Sequence, residues 1–147
     1  MILDDEDILI GESISSSVFE PIVNLILYGE KLSEKDFEIL SNGDNNYKVK
    51  DRQELNIIID YFTNRSKLNT ISLNWLDVSN ITNMSRLFSN KSFNGDISKW
   101  NTSNVQNMSL MFAHSSFNGD ISNWDTSKVD DMSAMFYFSN FNQEIGD

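Results

Sequence analysis

Apolar side chains in the second half of the chain recur every 24 residues. From about residue 69 to the end, seven apolar columns run through about three repeats, 69–96, 97–120 and 121–147. A period of this length is typical of a protein whose units bury their apolar faces against one another. The columns are Phe93, Phe117 and Phe141; Leu73, Ile97, Ile121 and Ile145; Leu76, Trp100 and Trp124; Ile81, Val105 and Val129; Met84, Met108 and Met132; Leu87, Met111 and Met135; and Phe88, Phe112 and Phe136.

The spacing within one repeat predicts a short strand followed by a short helix. Residues 97–100 lie between turn-forming residues, which favours a strand, and the apolar residues of 105–112 are three and four apart, which favours a helix. Asn94-Gly95 predicts a tight turn with positive φ, and Asn101-Thr-Ser is typical of a helix N-cap. We therefore predict an α+β fold, a short solenoid of about three 24-residue coils behind a helical N-terminal capping region.

The first 68 residues do not repeat, and their pattern predicts three helices and a strand at 47–50. The helices are predicted to begin at three capping pairs, Ser17 with Glu20, Ser33 with Asp36, and Asp51 with Glu54. The first should end near Gly29 and the second at Asn42-Gly43. The domain organisation follows: an acidic helical region over 1–46, a cap helix over 47–68, and the repeats over 69–147.

Two phrases in the repeats resemble a known family. WNTSNVQNMSLMF at 100–112 and WDTSKVDDMSAMF at 124–136, each followed by an FN[GQ][DE]I stretch, are similar to the BspA-like leucine-rich-repeat family. RQELNIIIDYF at 52–62 resembles the helix that precedes the first repeat there, so the resemblance covers about 47–147. It implies a leucine-rich-repeat-like solenoid that binds proteins without catalysis, in a family whose members are often found at the bacterial cell surface.

Charge narrows the classes of partner. The chain carries 22 acidic and 11 basic residues, a formal net charge of −11 over 147 residues. This excess disfavours direct binding to nucleic acid or to an anionic membrane and favours a basic protein partner. The opening MILDDEDILI lacks the basic n-region of a secretory signal, and the longest apolar run, near 22–28, is too short to span a bilayer. We expect a cytoplasmic protein.

Candidate chemistry is sparse. The chain has no cysteine and a single histidine, His114, which lies in a variable column. Asn94-Gly-Asp96 and Asn118-Gly-Asp120 could present oxygens to Ca²⁺, but a turn with a stacked Asn ladder is the favoured reading. We therefore expect no enzyme activity, no metal and no cofactor.

Two surfaces remain as candidates for contact with a protein partner. One is the exterior of the predicted strands, which varies between repeats, and the other is the acidic opening of the chain. The candidate residues are Trp75, Ser98, Lys99, Ser122 and Asn123 on the strand exterior, and Asp4, Asp5, Glu6 and Asp7 in the opening. Trp75 lies one position away from the Trp column and is expected to be exposed.

The last coil offers a further surface. Its apolar residues would have one uncovered side, which predicts pairing with a second copy of the chain, a homodimer, or with another partner.

The sequence thus favours a non-enzymatic protein-binding module that uses the solenoid face, the acidic region or both. The first alternative is a small intracellular acidic inhibitor or decoy, of the kind that mobile elements encode, which blocks a basic nucleic-acid-handling enzyme. The second is a fragment of an exported adhesin. Binding that weakens steeply with salt would favour the inhibitor.

Overall fold

The computed structural model describes residues 19–42, 46–64 and 69–146. Within these ranges the chain forms three α-helices, α1 (Glu20–Tyr28), α2 (Glu34–Asn42) and α3 (Arg52–Thr63), and two short strands, β1 (Tyr47–Lys48) and β2 (Leu76–Asp77). The two strands are parallel, with Tyr47 paired to Leu76 and Lys48 to Asp77. All three helices precede the repeats, and β2 lies in the first repeat.

The helix boundaries follow the predicted caps. The N–H of Ser33 donates to Asp36 Oδ2 at 2.8 Å and the N–H of Asp36 donates to Ser33 Oγ at 3.2 Å, which closes the capping box of α2. Asp51 Oδ1 accepts from the N–H of Glu54 at the start of α3. α1 ends at Gly29, whose φ of 67° allows a left-handed C-cap. These predictions are confirmed for α2, for the start of α3 and for the end of α1. The N-cap of α1 is Phe19, without a side-chain hydrogen bond, and the predicted cap Ser17 lies outside the described residues.

The predicted leucine-rich-repeat-like solenoid is wrong. Over residues 69–146 the repeats contain no α-helix, and their only strand residues are the two of β2. Residues 97–100 form a turn instead of the predicted strand. Residues 105–112 contain an isolated bridge at Asn107 and turns over 109–112 instead of the predicted helix. The coarse description as α+β remains compatible with three helices and one two-stranded sheet.

Alternate N–H groups explain why no helix forms, because they bond to the next repeat. The N–H groups of Met84 and Arg86 donate to the carbonyls of Asn107 and Ser109 at 2.8 and 3.0 Å. An α-helix needs its N–H groups for carbonyls four residues earlier in the same segment. The donors form a row in each of two repeats: Met84, Arg86, Phe88 and Asn90, then Met108, Leu110, Phe112 and His114.

Positive φ angles in the same segments also exclude a helix. Arg86 and Asn90 both have φ of 59°. Because L-residues in an α-helix keep φ near −60°, one such residue every four positions interrupts it. The equivalent residues of the later repeats share the left-handed conformation: Leu110, His114, Ala134 and Phe138.

Side chains of Asn and Asp turn the chain at each corner of a repeat. Asn101 Oδ1 accepts from the N–H of Ser103 at 3.1 Å, so Asn101-Thr-Ser forms an Asx-turn and the predicted helix N-cap is wrong. Asp120 and Asp131 make the same turn with the serine two residues later. Hydrogen bonds from the hydroxyl and then the N–H of these serines lower the pKa of both carboxyls.

Stacked aromatic rings fill the interior of the repeats. The rings of Phe88 and Phe112 are nearly parallel with centroids 5.5 Å apart, and Phe136 follows Phe112 at 5.7 Å. The indoles of Trp100 and Trp124 stack at 6.3 Å, and both residues are buried. Each indole also donates its Nε1–H to the preceding repeat, Trp100 to the carbonyl of Leu73 and Trp124 to that of Ile97. The predicted Trp core is confirmed.

The repeated Asn-Gly pair acts differently from the predicted turn. Gly95 does not have a positive φ; a Cβ there would meet the carbonyl oxygen of Ile71, so glycine is needed for close approach of the backbone. The side chain of Asn94 accepts from the N–H of Asn118 at 2.8 Å, and Asn118 accepts from the N–H of Asn142 at 2.9 Å. The predicted Asn ladder is therefore confirmed.

Arg52 of helix α3 binds backbone carbonyls of the first repeat that no preceding repeat covers. The Arg52 guanidinium donates to the carbonyls of Asn83 and Ser85 at 3.0 and 2.8 Å. Lys91 Nζ donates to the carbonyl of Leu87 at 3.1 Å and pairs with Asp60 of α3 at 2.7 Å. The equivalent carbonyls of the second repeat accept from the first repeat, so these cations take the place of a preceding repeat.

A buried polar pair links β1 to α3. The Tyr47 hydroxyl donates to Glu54 Oε1 at 2.7 Å, and both side chains are buried. Burial raises the pKa of Glu54, which the hydrogen bond from Tyr47 opposes. Burial and the neighbouring Glu54 raise the pKa of the Tyr47 hydroxyl. The pair satisfies two polar groups that β1 and α3 would otherwise bury unpaired.

Replacing Arg52 tests the cap on the first repeat. Arg52→Met should lower the free energy of unfolding by about 1–2 kcal/mol, because two carbonyls lose charge-assisted hydrogen bonds at a partly exposed site. Urea unfolding followed by tryptophan fluorescence measures the change. Gln53→Ala, at an exposed position of the same helical turn, is the control and should change stability by less than about 0.5 kcal/mol. Equal effects of the two substitutions would contradict the proposed cap.

Candidate interaction surface

The hydrogen bonds between repeats have a direction. In the first and second repeats the donor row points to the following repeat, whose carbonyls accept. Parallel bridges join Asn83 to Asn107 and Asn107 to Asp131, so the three segments run side by side. The third repeat continues the pattern with the N–H groups of Met132, Ala134, Phe136 and Phe138, and no acceptor within residues 19–42, 46–64 and 69–146 meets any of them.

The same face exposes apolar side chains, of which Met132 and Ile145 belong to columns that are buried in the earlier repeats. Met84 and Met108 are fully buried, whereas Met132, in the same column, is 44% exposed. Tyr137 is 53% and Phe138 73% exposed. Because residue type and backbone position are matched along the Met column, the difference comes from the absence of a covering segment among the described residues. We call Met132, Ala134, residues 136–138 and Ile145 the third-repeat face.

A groove of about 200 Å³ opens beside the third-repeat face. Its walls include the indole of Trp124, the ring of Phe136 and the side chain of Ile145. Apolar atoms dominate these walls, and the groove has no charged residue in its lining. A groove of this kind accommodates apolar side chains of a protein segment better than a charged ligand.

His114 lies at the rim of this surface. Its ring stacks on Phe138 with centroids 5.3 Å apart and meets the ring of Tyr137 edge-on at 5.6 Å. The side chain is exposed, as expected for a variable column. Its role in the described structure is to extend an aromatic surface.

Four of the five residues predicted on the strand exterior reach the surface, and the fifth, Trp75, is buried. Lys99 and Asn123 are exposed, and Ser98 and Ser122 are half-buried beside them. Trp75 is only 2% exposed, so its predicted exposure is wrong. Its ring packs edge-on against Phe62 of α3, and its Nε1–H donates to the carbonyl of Ser72 at 2.9 Å. Contact with α3 therefore contributes to the burial of this indole.

The second predicted contact surface is the acidic opening of the chain. Asp4, Asp5, Glu6 and Asp7 lie outside the described residues.

The side-chain oxygens of the repeated Asn residues bind backbone N–H groups. The amide oxygens of Asn94 and Asn118 accept from N–H groups of the next repeat, which leaves them committed to the Asn ladder. In the part of the chain that the structure describes, no group of three or more His, Cys, Asp or Glu residues is arranged to hold a metal ion. Across the same described ranges, no helix is both long and apolar enough to cross a bilayer.

A family model described as "Mycoplasma protein of unknown function, DUF285" matches residues 56–147, which are 92 of the 147 residues. The chain belongs to the DUF285 family. The resemblance to the BspA-like leucine-rich-repeat family is thereby corrected, because DUF285 is a different family. The comparison with curated proteins and the comparison with solved structures each gave no match.

The DUF285 match covers the repeats and most of α3. The sequence pattern identified the period of this region but missed the donor row. The available signal was the recurrence of Asn or Asp followed two residues later by Ser, with pairs that begin at Asp77, Asn83, Asp96, Asn101, Asn107, Asp120, Asp125 and Asp131. That spacing is typical of Asx-turns and disfavours a helix.

Limited oxidation tests the exposure of the third-repeat face. Dilute hydrogen peroxide should convert Met132 to its sulfoxide well before Met84 and Met108, because only Met132 has an accessible thioether in this column. Peptide mass spectrometry over a time course gives the three rates. Similar oxidation rates for Met132 and Met108, measured while the chain is folded, would contradict the difference in their exposure.

Proposed function

We propose that the chain is a protein-binding module without catalytic activity, and that the third-repeat face makes the contact. The observation that supports this most directly is the Met column, in which Met132 is 44% exposed while Met84 and Met108 are fully buried. Methionine thus occupies the same backbone position in all three repeats. It is buried in the first two and partly exposed in the third. A protein segment on this face would remove its apolar surface from water.

The composition of the face supports a protein as partner. Aromatic and Met side chains are enriched at protein interfaces, where they supply contact area with few charges to desolvate. Tyr137, Phe138 and the partly buried Phe136 lie next to one another, and the groove beside Trp124 can take an apolar anchor. A patch of this kind can provide both the centre and the pocket of a small interface.

The acidic inhibitor remains the second candidate, supported by the net charge of −11. Asp96 and Asp120 occupy one exposed column of the repeats, with Glu144 at the equivalent position of the third. A basic partner bound along this column would be held mainly by electrostatic attraction. The proposed site of action for either candidate is the cytoplasm, which fractionation of the source cells can test.

A double variant and a control variant separate the protein-binding module from the acidic inhibitor. Met132→Gln with Phe138→Asn removes apolar surface, and Asn suits the left-handed backbone there because Asn90 has the same conformation. The control is Lys99→Asn, which introduces the residue found at 123 on a different surface. Circular dichroism and the urea midpoint should show that both variants are folded.

Quantitative capture from an extract of the source cells provides the readout. We expect the specific partner to be retained by the wild-type chain and by Lys99→Asn, and to fall at least about tenfold on the double variant, a loss of about 1.4 kcal/mol or more. Retention should change little between low and high salt, since the contact is apolar. A partner that is released by salt and retained by the double variant would contradict this proposal and favour the acidic inhibitor.

A further inference from the structure

We propose that the partner of the third-repeat face is a segment of another protein with the same kind of repeat sequence, docked in parallel register with its backbone carbonyls on the four free N–H groups. This inference rests on the proposed function, because it identifies the occupant of that binding face. It specifies the occupant by the chemistry of its backbone as well as by its apolar side chains.

The backbone of the face offers donors at fixed spacing. The N–H groups of Met132, Ala134, Phe136 and Phe138 are equivalent to Met108, Leu110, Phe112 and His114, all of which donate to carbonyls of the third repeat at 2.8–3.0 Å. The N–H groups of the intervening residues Ser133, Met135 and Tyr137, and that of Ser139 after them, are already used in turns within the repeat. The face therefore presents a row of donors to a partner, and an extended segment that adds to it must supply a row of acceptors.

Two further acceptors extend this complementarity, one a backbone carbonyl and the other a side-chain oxygen. The carbonyls of Leu73 and Ile97 each accept the indole N–H of a tryptophan 27 residues later, and the carbonyl of Ile121 is the next in that series. The side-chain oxygens of Asn94 and Asn118 each accept an N–H of the next repeat, and Asn142 is the next in theirs. No hydrogen bond from a later segment reaches Ile121 or Asn142 within the described ranges.

The ring stack has an open side at the same place. Phe136 and Phe141 stack on Phe112 and Phe117 at 5.7 and 6.1 Å, and within the described ranges no ring of a later segment stacks on their other faces. A segment with phenylalanines at the spacing of Phe112 and Phe117 would place one ring on each. The side chains therefore favour the same parallel register as the hydrogen bonds.

A second copy of this chain does not supply the required acceptors. Symmetric pairing of two third-repeat faces would bring donors against donors, so those N–H groups would lose water without gaining acceptors. Head-to-tail pairing would need the carbonyls of the first repeat, but Arg52 takes those of Asn83 and Ser85 and Lys91 takes that of Leu87. The geometry therefore favours a partner whose carbonyl row is open over the homodimer expected from the sequence.

A synthetic peptide provides the test. The probe is residues 101–124 of this chain, NTSNVQNMSLMFAHSSFNGDISNW, because its carbonyls at 107, 109, 111 and 113 already serve as acceptors for the first repeat. The control is the same sequence written in reverse, which keeps composition and charge but loses the parallel register. Calorimetric titration into the full-length chain measures affinity, and sedimentation of the chain and of each peptide alone measures self-association.

Amide exchange of the ¹⁵N-labelled chain, read by NMR, reports on the donor row itself. We expect the forward peptide to bind one per chain, at least about tenfold more tightly than the reversed peptide. The N–H groups of Met132, Ala134, Phe136 and Phe138 should exchange at least about tenfold more slowly in the complex. Those of Tyr137 and Ser139, which are bonded in turns, should change less. Phe138→Asn should weaken binding of the forward peptide.

Three results would overturn the inference. Equal affinity for the two peptides would show apolar adsorption without register. Binding of the forward peptide without the alternating protection, or no binding, would show that the donor row is not the recognition element. Self-association of the chain with the same protection would identify a second copy as the occupant. A cellular partner that still depends on Met132 and Phe138 would, in each case, leave the proposed function intact.

Discussion

The hydrogen bond from one repeat to the next at every second residue is the constraint on which the rest of this structure depends. It commits the N–H groups that a helix would need and is accompanied by left-handed residues such as Arg86 and Asn90. It brings equivalent side chains together, so that Phe88, Phe112 and Phe136 stack in register. It also gives the repeats a direction, with carbonyls towards α3 and N–H groups towards the third-repeat face.

This direction explains why the two ends of the described repeats make different hydrogen bonds. Carbonyl oxygens carry partial negative charge, and the guanidinium of Arg52 and the ammonium of Lys91 satisfy three of them on the side of α3. On the other side the N–H groups meet no side-chain acceptor among the described residues, and the exposed aromatic side chains Tyr137 and Phe138 lie beside them. One side is thus covered by the chain itself, and the other leaves N–H donors and apolar side chains uncovered among the described residues.

The sequence predicted those features that depend on local side chains or on a simple period. The caps of α2 and α3 were predictable because Ser33 and Asp51 act on N–H groups within three residues. The buried Trp column and the Asn ladder followed from the period. The helix predicted over 105–112 failed because three-and-four spacing of apolar residues also fits turns whose N–H groups bond to residues 23 positions later. Trp75 was misplaced because its burial depends on Phe62, a contact that no local pattern contains.

Scalar couplings across hydrogen bonds test the central claim most directly, because they identify the donor and acceptor of each bond in solution. A long-range HNCO spectrum of the labelled chain should correlate the N–H of Arg86 with the carbonyl carbon of Ser109, and that of Leu110 with the carbonyl carbon of Ser133. Correlations of these N–H groups with carbonyls four residues earlier would indicate helices within the repeats and would contradict the account.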